Sequence, residues 1–264
     1  MQSEGVFCKF GRLYVPSRIV DNPYLDGEEY RQSLLHLPPV ERERLLNGDW
    51  SVQEKTLIER EWLRYFVEGT EQVELTEPGG RCLATIPEGE CYRFMTIDAA
   101  GTAEDRAAEM RGRASWSVIQ VWDQPRRREW SKYLILRHQE RVQVGCVVLL
   151  SLIEGVWRGL KAERIFVEGE RLGQAICESL TKARLPIECL PTGNKGKVER
   201  AVPLMEKLKR GEIFLPEGRR WLAKFEDELL SWTGDKYEPA DQIDAAAYAA
   251  RVAEERQGGV VRVV

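Results

Sequence analysis

A chain of 264 residues, 43% hydrophobic and 31% charged, holds enough apolar material for one large domain, or for a domain with a substantial extension. Its net charge of −4 excludes a general basic coat for nucleic acid, so such contact must come from local cationic clusters or bound metal ions. The longest apolar run, Val142 to Leu152, is too short for a bilayer and is interrupted by Gln143 and Ser151. Met-Gln-Ser-Glu-Gly at the start has no basic region leading into an apolar one, so the expectation is a cytoplasmic protein without membrane contact.

The six cysteines (8, 82, 91, 146, 177 and 189) form no Cys-x-x-Cys pair, and the two histidines, His36 and His138, supply no zinc spacing. Several of these cysteines lie in apolar segments and read as plain core residues in a reducing compartment.

Residues 1–50 differ from the remainder. Asp21-Asn-Pro-Tyr is turn chemistry, a helix is expected from Asp26 or Gly27 through Leu35, and Pro38-Pro39 stop it before a second short helix over 40–46. This mostly helical and irregular extension has too little apolar material for its own core. Residues 51–90 carry the aromatic cluster Trp62, Tyr65 and Phe66, then a poorly periodic stretch rich in Glu, Pro and Gly. They are expected to be a linker docked on the main domain, which spans 91–256 and precedes a loose tail at 257–264.

From Cys91 the pattern is regular. Tyr92-Arg-Phe-Met-Thr-Ile-Asp98 reads as a buried strand ending in a carboxylate and broken by Ala99-Ala100-Gly101. A charged loop, Thr102 to Arg113, comes next. Ser117 to Trp122 and Tyr133 to Leu136 are further strands, joined through the basic turn at Arg126, Arg127 and Arg128 into an antiparallel meander. Apolar residues at helical spacing mark a helix from Cys146 to Leu160. Then come a strand over Arg164–Glu168, a helix around Leu172–Leu180, a strand over Ile187–Leu190, and a helix from Val198 to Leu208 closed by Gly211. Ile213–Pro216 is short and extended, and helices over 219–230 and 241–255 end the chain. This order predicts an α/β fold with a ribonuclease-H-like mixed sheet flanked by helices.

Three acidic sites stand out. Glu168 repeats the geometry of Asp98, a carboxylate at the tip of an apolar strand before a small residue, with Glu170 better suited to open the next helix. Asp241 and Asp244 share one helix face with Tyr248. Each has a plain structural alternative: Asp98 or Asp241 as a helix cap, Asp244 as a surface partner of Arg251. Carboxylates converging in one pocket repel one another unless cations compensate, and hard oxygen donors without His or Cys select Mg²⁺ or Mn²⁺. Two such ions suit phosphodiester hydrolysis.

Between 195 and 220 there are eight Lys or Arg against four Glu. Lys195, Lys197 and Arg200 come after a strand end near the acids and are the favoured DNA-phosphate contacts, with Arg126–Arg128 as a second cluster. Lys207 to Arg210 read instead as a solvated helix face. Gly193 to Lys197 lacks the spacing and the Ser/Thr of a Walker A loop, so no ATPase site is expected. His138 reads as a surface residue.

These stretches together resemble a family. Asp21-Asn-Pro-Tyr-Leu, Leu45-Leu-Asn-Gly-Asp-Trp50, Glu61-Trp-Leu-Arg-Tyr65, Thr96-Ile-Asp98, Phe166-Val-Glu168 with Gly173, Lys197-Val-Glu-Arg-Ala201, Gly211 to Pro216, Trp221 to Leu230 and Asp241-Gln-Ile-Asp-Ala245 resemble, in order and spacing, the C-terminal part of tailed-phage large terminase subunits. The resemblance implies a metal-dependent endonuclease that cuts double-stranded DNA during genome packaging in a bacterial host. Asp98, Glu168 and Asp241 would be metal ligands and Asp244 would support them. It also implies an ATPase domain, a small terminase subunit and a portal as partners, and residues 1–50 as the tail of the ATPase region, the chain being a fragment or a natural short form. One departure is Pro239-Ala240-Asp241 where the family often has His-Asp-Asp. That departure supports a competing expectation, a nuclease-like docking module with weak or no activity; a junction resolvase or transposase core suits the first 50 residues less well.

Overall fold

The computed structural model describes residues 7–9, 12–14, 30, 34, 45, 56–99, 116–169, 171–191, 195–235, 238 and 240–258. The chain divides into two compact units, Met1–Lys55 and Thr56–Val264. In the first, β1 (Phe7–Lys9) and β2 (Arg12–Tyr14) pair antiparallel. Of the two helices expected there only Tyr30, Leu34 and Leu45 are described, and the Leu34 N–H donates to Tyr30 O at 3.2 Å, an i to i−4 bond. The Thr102–Arg113 loop and residues beyond 258 lie outside the described residues.

The second unit is built on a nine-stranded mixed sheet. Its strands are β3 (Arg64–Glu68), β4 (Gln72–Thr76), β5 (Cys82–Pro87), β6 (Cys91–Asp98), β7 (Ser117–Pro125), β8 (Leu134–Val142), β9 (Arg164–Glu168), β10 (Ile187–Leu190) and β11 (Ile213–Pro216), in the order β10-β9-β6-β7-β8-β11-β3-β4-β5. β6, β7 and β8 form the antiparallel meander, and β9 then β10 add in parallel on the outer side of β6. That is the ribonuclease-H-like order expected from the sequence. The helices are α1 (Cys146–Leu160), α2 (Arg171–Lys182), α3 (Lys197–Lys209), α4 (Leu222–Ser231) and α5 (Asp241–Gln257).

The two-residue period of the strands divides the helices between the sheet's faces. Met95, Ile97, Ile119, Val121, Ile165 and Val167 pack on Leu149 and Ile153 of α1 and on Ile176 and Leu180 of α2. Phe94, Trp122, Leu136 and Phe166 face α3, α4 and α5 through Leu204, Leu208, Phe225, Leu229, Ile243 and Tyr248. Every residue of β7 is buried, as a strand covered on both faces requires. α5 comes so close because its inner side is alanine: Ala245, Ala246, Ala249, Ala250 and Ala253 have no measurable exposure.

Two expectations need correction. Of the expected linker at 51–90, the described residues 56–90 supply β3, β4 and β5, which join the main sheet through β11, itself parallel to both β8 and β3. Phe66, Val73, Leu75 and Ile86 bury against Ile135 and Phe214 in a core of their own. The strands were hidden because each is short, β4–β5 pairing slips register at Leu75/Thr76, and the connecting Gly79 and Gly80 adopt φ of 99° and 82°. Nor are the cysteines of the apolar segments all plain core residues. Cys177 of α2 and Cys189 of β10 form a disulfide with their Cα atoms 6.3 Å apart, which pins the helix to the edge strand.

Candidate metal centre

Asp98 and Glu168 end two adjacent parallel strands. The register pairs Ile97 with Val167, so the two tips lie about 4.8 Å apart in backbone spacing. Alternation puts Asp98 on the same face as Phe94, and Glu168 on the same face as Phe166, both toward α5. Two glycines downstream of Glu168 hold its backbone in place. The Gly169 N–H donates to Leu190 O at 2.8 Å. A Cβ on Gly173 would lie 1.6 Å from Glu168 O, so only glycine lets α2 begin this close to the strand end.

The other two acids open α5. Ala240 is fully buried at the cap, and the Asp244 N–H donates to Ala240 O at 2.8 Å. Ala240, at the cap position, has no side chain to close the helix. Glu228 of α4 does so instead: its Oε1 accepts the backbone N–H of Gln242 at 2.8 Å and of Ile243 at 3.2 Å. Its Oε2 takes the Gln242 amide at 2.5 Å. Gln242 Oε1 in turn accepts from Gln139 at 2.7 Å, and Gln139 accepts from Gln120 at 2.7 Å. This buried chain of amides carries the position of β7 and β8 to the first turn of α5. Arg141 completes it, 3.7 Å from Glu228, 4.0 Å from Asp241, and stacked 4.8 Å over the Trp116 ring. Asp241 also accepts the Trp116 N–H at 3.4 Å.

Burial together with mutual repulsion governs the protons. Burial raises the Asp98 carboxyl well above the usual carboxylate range, and the neighbouring carboxylates of Asp244, Glu168 and Asp241 push it further. Burial also raises Asp244, to about 6, against the pull of Lys197 and Arg200. Asp241 is raised by burial, offset by the Trp116 N–H, Arg141 and Lys197. Burial raises the Tyr248 phenol, and the charge of Glu168 raises it further, so the hydroxyl stays protonated.

The structure therefore gathers Asp98, Glu168, Asp241 and Asp244 at one rim of the sheet. Asp244 does not pair with Arg251, which bonds Glu255 at 3.0 Å and Pro191 O at 3.0 Å. Its cations are Lys197 at 3.7 Å and Arg200 at 3.4 Å. Arg200, expected to face DNA, turns inward onto Glu168 at 2.8 Å. Among the described residues no three His, Cys, Asp or Glu side chains form a closed group for an ion. The donor set nevertheless fits a hard divalent cation, since all four are carboxylates, and Lys197 and Arg200, which pair with Asp244 and Glu168, show that these acids draw positive charge.

The remaining basic residues fall elsewhere. Lys195 is exposed and lies 3.7 Å from Glu199. The turn at Arg126–Arg128 comes directly after Pro125, which pairs with Cys91, so it lies the full length of β6 from Asp98, about 23 Å at 3.3 Å per residue. Arg126 bonds Glu163 and Arg127 bonds Glu90 there, each at 2.5 Å. Lys207 is no solvated residue but 1% exposed, its ammonium bonded to Lys132 O and Glu212 at 3.3 Å each. His138 sits within β8, 3.2 Å from Glu140. Sequence reading missed Glu228 and Arg141. It also missed a 610 Å³ cleft beside them, lined by Arg60, Arg141, Lys224, Asp227 and Glu228 among others.

No protein-family model matches the chain, and no curated protein does. Among solved structures, the large terminase nuclease from thermophilic phage G20c with bound magnesium aligns at 12% identity and a TM-score of 0.49, over 76% of this chain and 98% of that one. The large terminase nuclease domain of Thermus phage P74-26 aligns at 13% identity and a TM-score of 0.46, over 71% and 90%. RuvC of Thermus thermophilus aligns at 14% identity and a TM-score of 0.35, over 63% and 96%.

Proposed function

We propose that this chain is a divalent-metal-dependent endonuclease of the terminase type, cutting double-stranded DNA during phage genome packaging. One observation carries the reading: four carboxylates from β6, β9 and α5 meet at one rim, Asp98 and Glu168 at the ends of adjacent parallel strands, and Asp244 joined to Glu168 through Arg200. Asp98, Glu168, Asp241 and Asp244 would hold Mg²⁺ or Mn²⁺. Two such ions would supply Lewis acidity at the scissile phosphate and acidify the attacking water. The chain's own part is to fix the carboxylates on rigid strand ends and on a helix start locked by Glu228, where sub-ångström placement matters. Arg60, Arg141 and Lys224, lining the cleft beside Glu228, suit the flanking phosphates. Lys195, exposed at the start of the same segment, would add a contact on the other side, while Lys197 and Arg200 face the acids.

The terminase-like sequence motifs support the assignment to packaging, with the ATPase domain, small subunit and portal as partners in the bacterial cytoplasm and residues 1–50 as the ATPase-side tail. Among the described residues no helix is long and apolar enough to cross a membrane. A second reading is a DNA-docking module without cleavage, favoured by Ala240, buried where a further ligand would stand.

Plasmid nicking with Mg²⁺ or Mn²⁺ separates the two. The nuclease reading expects cleavage that Asp98→Ala abolishes. Cleavage that survives the substitution rejects this site, whereas intact plasmid with a clear gel shift establishes the docking module.

A further inference from the structure

The position between Glu168 and Asp244 is filled by the chain itself. Arg200 reaches in from α3 and donates from Nη1 to Glu168 Oε1 at 2.8 Å and to Tyr248 Oη at 3.1 Å. Its Nη2 donates to Asp244 Oδ1 at 3.4 Å. Its Nε is buried without a hydrogen-bond partner, so the guanidinium has not reached a fully satisfied structural niche. The acids hold it by charge, and the carboxylates it occupies are two of those proposed above to hold the metal ion.

We propose that Arg200 is an intramolecular counter-cation that occupies the inner carboxylates in the metal-free protein and is displaced when a divalent ion binds. The inference rests on the nuclease reading and goes beyond it. Without a cation there, Asp98, Glu168 and Asp244 would face one another in a poorly solvated pocket, a cost Arg200 relieves. With a divalent ion present, a guanidinium on the same oxygens would meet like charge at contact distance, so the two compete. The displaced side chain has somewhere to go. A cavity of 540 Å³ opens beside it, lined by Arg200 itself, Lys195, Glu199, Arg251, Glu254 and Glu255; Glu199 and Glu255 already pair with Lys195 and Arg251, so Glu254 is the partner the guanidinium would take. Lys197 stays behind, tied to Glu238 O at 3.0 Å, so the first turn of α3 need not move.

Isothermal titration of Mn²⁺ without DNA tests the competition. Arg200→Gln should bind Mn²⁺ at least tenfold more tightly than wild type, Arg200→Lys should fall between them, and Asp98→Asn should abolish the heat. A crystal of the wild type grown with Mn²⁺ should show the guanidinium withdrawn from Glu168 and Asp244. Equal or weaker binding by Arg200→Gln, with binding still lost in Asp98→Asn, overturns the displacement while leaving the metal site standing. No binding by either protein overturns the nuclease reading as well. Should Arg200→Gln fail to fold, the wild-type crystal decides: a guanidinium still on Glu168 Oε1 beside a bound ion refutes the proposal.

Discussion

Glu228 closes the N-terminus of the helix that carries Asp241: one carboxylate oxygen accepts the backbone N–H groups of Gln242 and Ile243, while the other holds the Gln242 side chain. The acids of α5 are thus positioned by a residue on another helix, which supplies the cap that Ala240 cannot. Glu228→Ala should cost about 2 kcal/mol, the sum of a lost cap and a buried amide left short of its acceptor. For a unit of this size that lowers the melting temperature by about 4–8 °C. Glu228→Gln, which can still accept one N–H, should lose about half as much. Nicking should fall in both by about tenfold as Asp241 loses its register. Thermal melts unchanged in Glu228→Ala would show that α5 is held by packing alone.

Asp244 gives the metal-free protein a pH dependence of unusual sign. Its folded pKa, about 6, lies above the ordinary carboxylate value. A raised pKa means the folded state binds the proton more tightly, so its contribution is full below the unfolded pKa of about 4 and is lost as pH rises through about 6. Compared with Asp244→Asn, which cannot ionise, the wild type should therefore lose on the order of 2 kcal/mol between pH 4 and pH 7. Urea melts of both proteins in chelator across that range measure it. A difference that stays flat, or grows in the wild type's favour with pH, would place Asp244 in a far more polar setting. Added Mn²⁺ should reverse the loss above pH 6, since binding needs the ionised form.

The parts of this site that the sequence disclosed are those written in one short stretch. Asp98 and Glu168 each end an apolar run before a small residue, and Asp241 and Asp244 stand one turn apart on an obvious helix. Glu228 gave no such sign. It lies in Phe225-Glu-Asp-Glu-Leu-Leu230, where a run of acids on a helix reads as solvated surface, and only the approach of α5 turns it inward. Arg200 was legible as a cation near the acids but not in its direction, because charge says nothing of which way a side chain points. Lys207 fails for the converse reason: its burial depends on Lys132 and Glu212 coming together beneath α3. β3, β4 and β5 escaped because the strand that binds them to the sheet, β11, comes far later in the chain, and a parallel pairing at that separation leaves no local mark.

Gly173→Ala tests how tightly Glu168 is held. The added methyl would stand 1.6 Å from Glu168 O and 2.9 Å from its carbonyl carbon, both backbone atoms that cannot rotate aside. α2 must therefore withdraw or the tip of β9 must shift. Overpacking of this kind costs about 1–3 kcal/mol. Because the clash falls on the residue bearing the carboxylate, Mn²⁺ affinity should drop together with stability. Gly155→Ala on α1, whose Cβ would meet nothing within 4 Å, is the control and should stabilise slightly. Equal melting temperatures for the two variants would mean that the helix start has slack.

DNA contact should track the cleft beside Asp241 and not the turn at the far end of β6. Arg60 and Lys224 line that 610 Å³ cleft. By contrast, Arg126 and Arg127 are paired with Glu163 and Glu90 and stacked near Tyr92 and Trp130. A cation that contacts phosphate releases counterions, so each one lost lowers the slope of log K against log salt by about 0.9. The double variant Arg60→Ala with Lys224→Ala should reduce that slope by about 2 and weaken binding evenly across unrelated sequences. Arg126→Ala with Arg127→Ala should leave the slope unchanged and cost at most about 1 kcal/mol of stability, as exposed ion pairs do. Fluorescence anisotropy with a short duplex between about 50 and 200 mM salt measures both. The reverse ranking would move the DNA to the opposite rim of the sheet, out of reach of the carboxylates proposed to cut it.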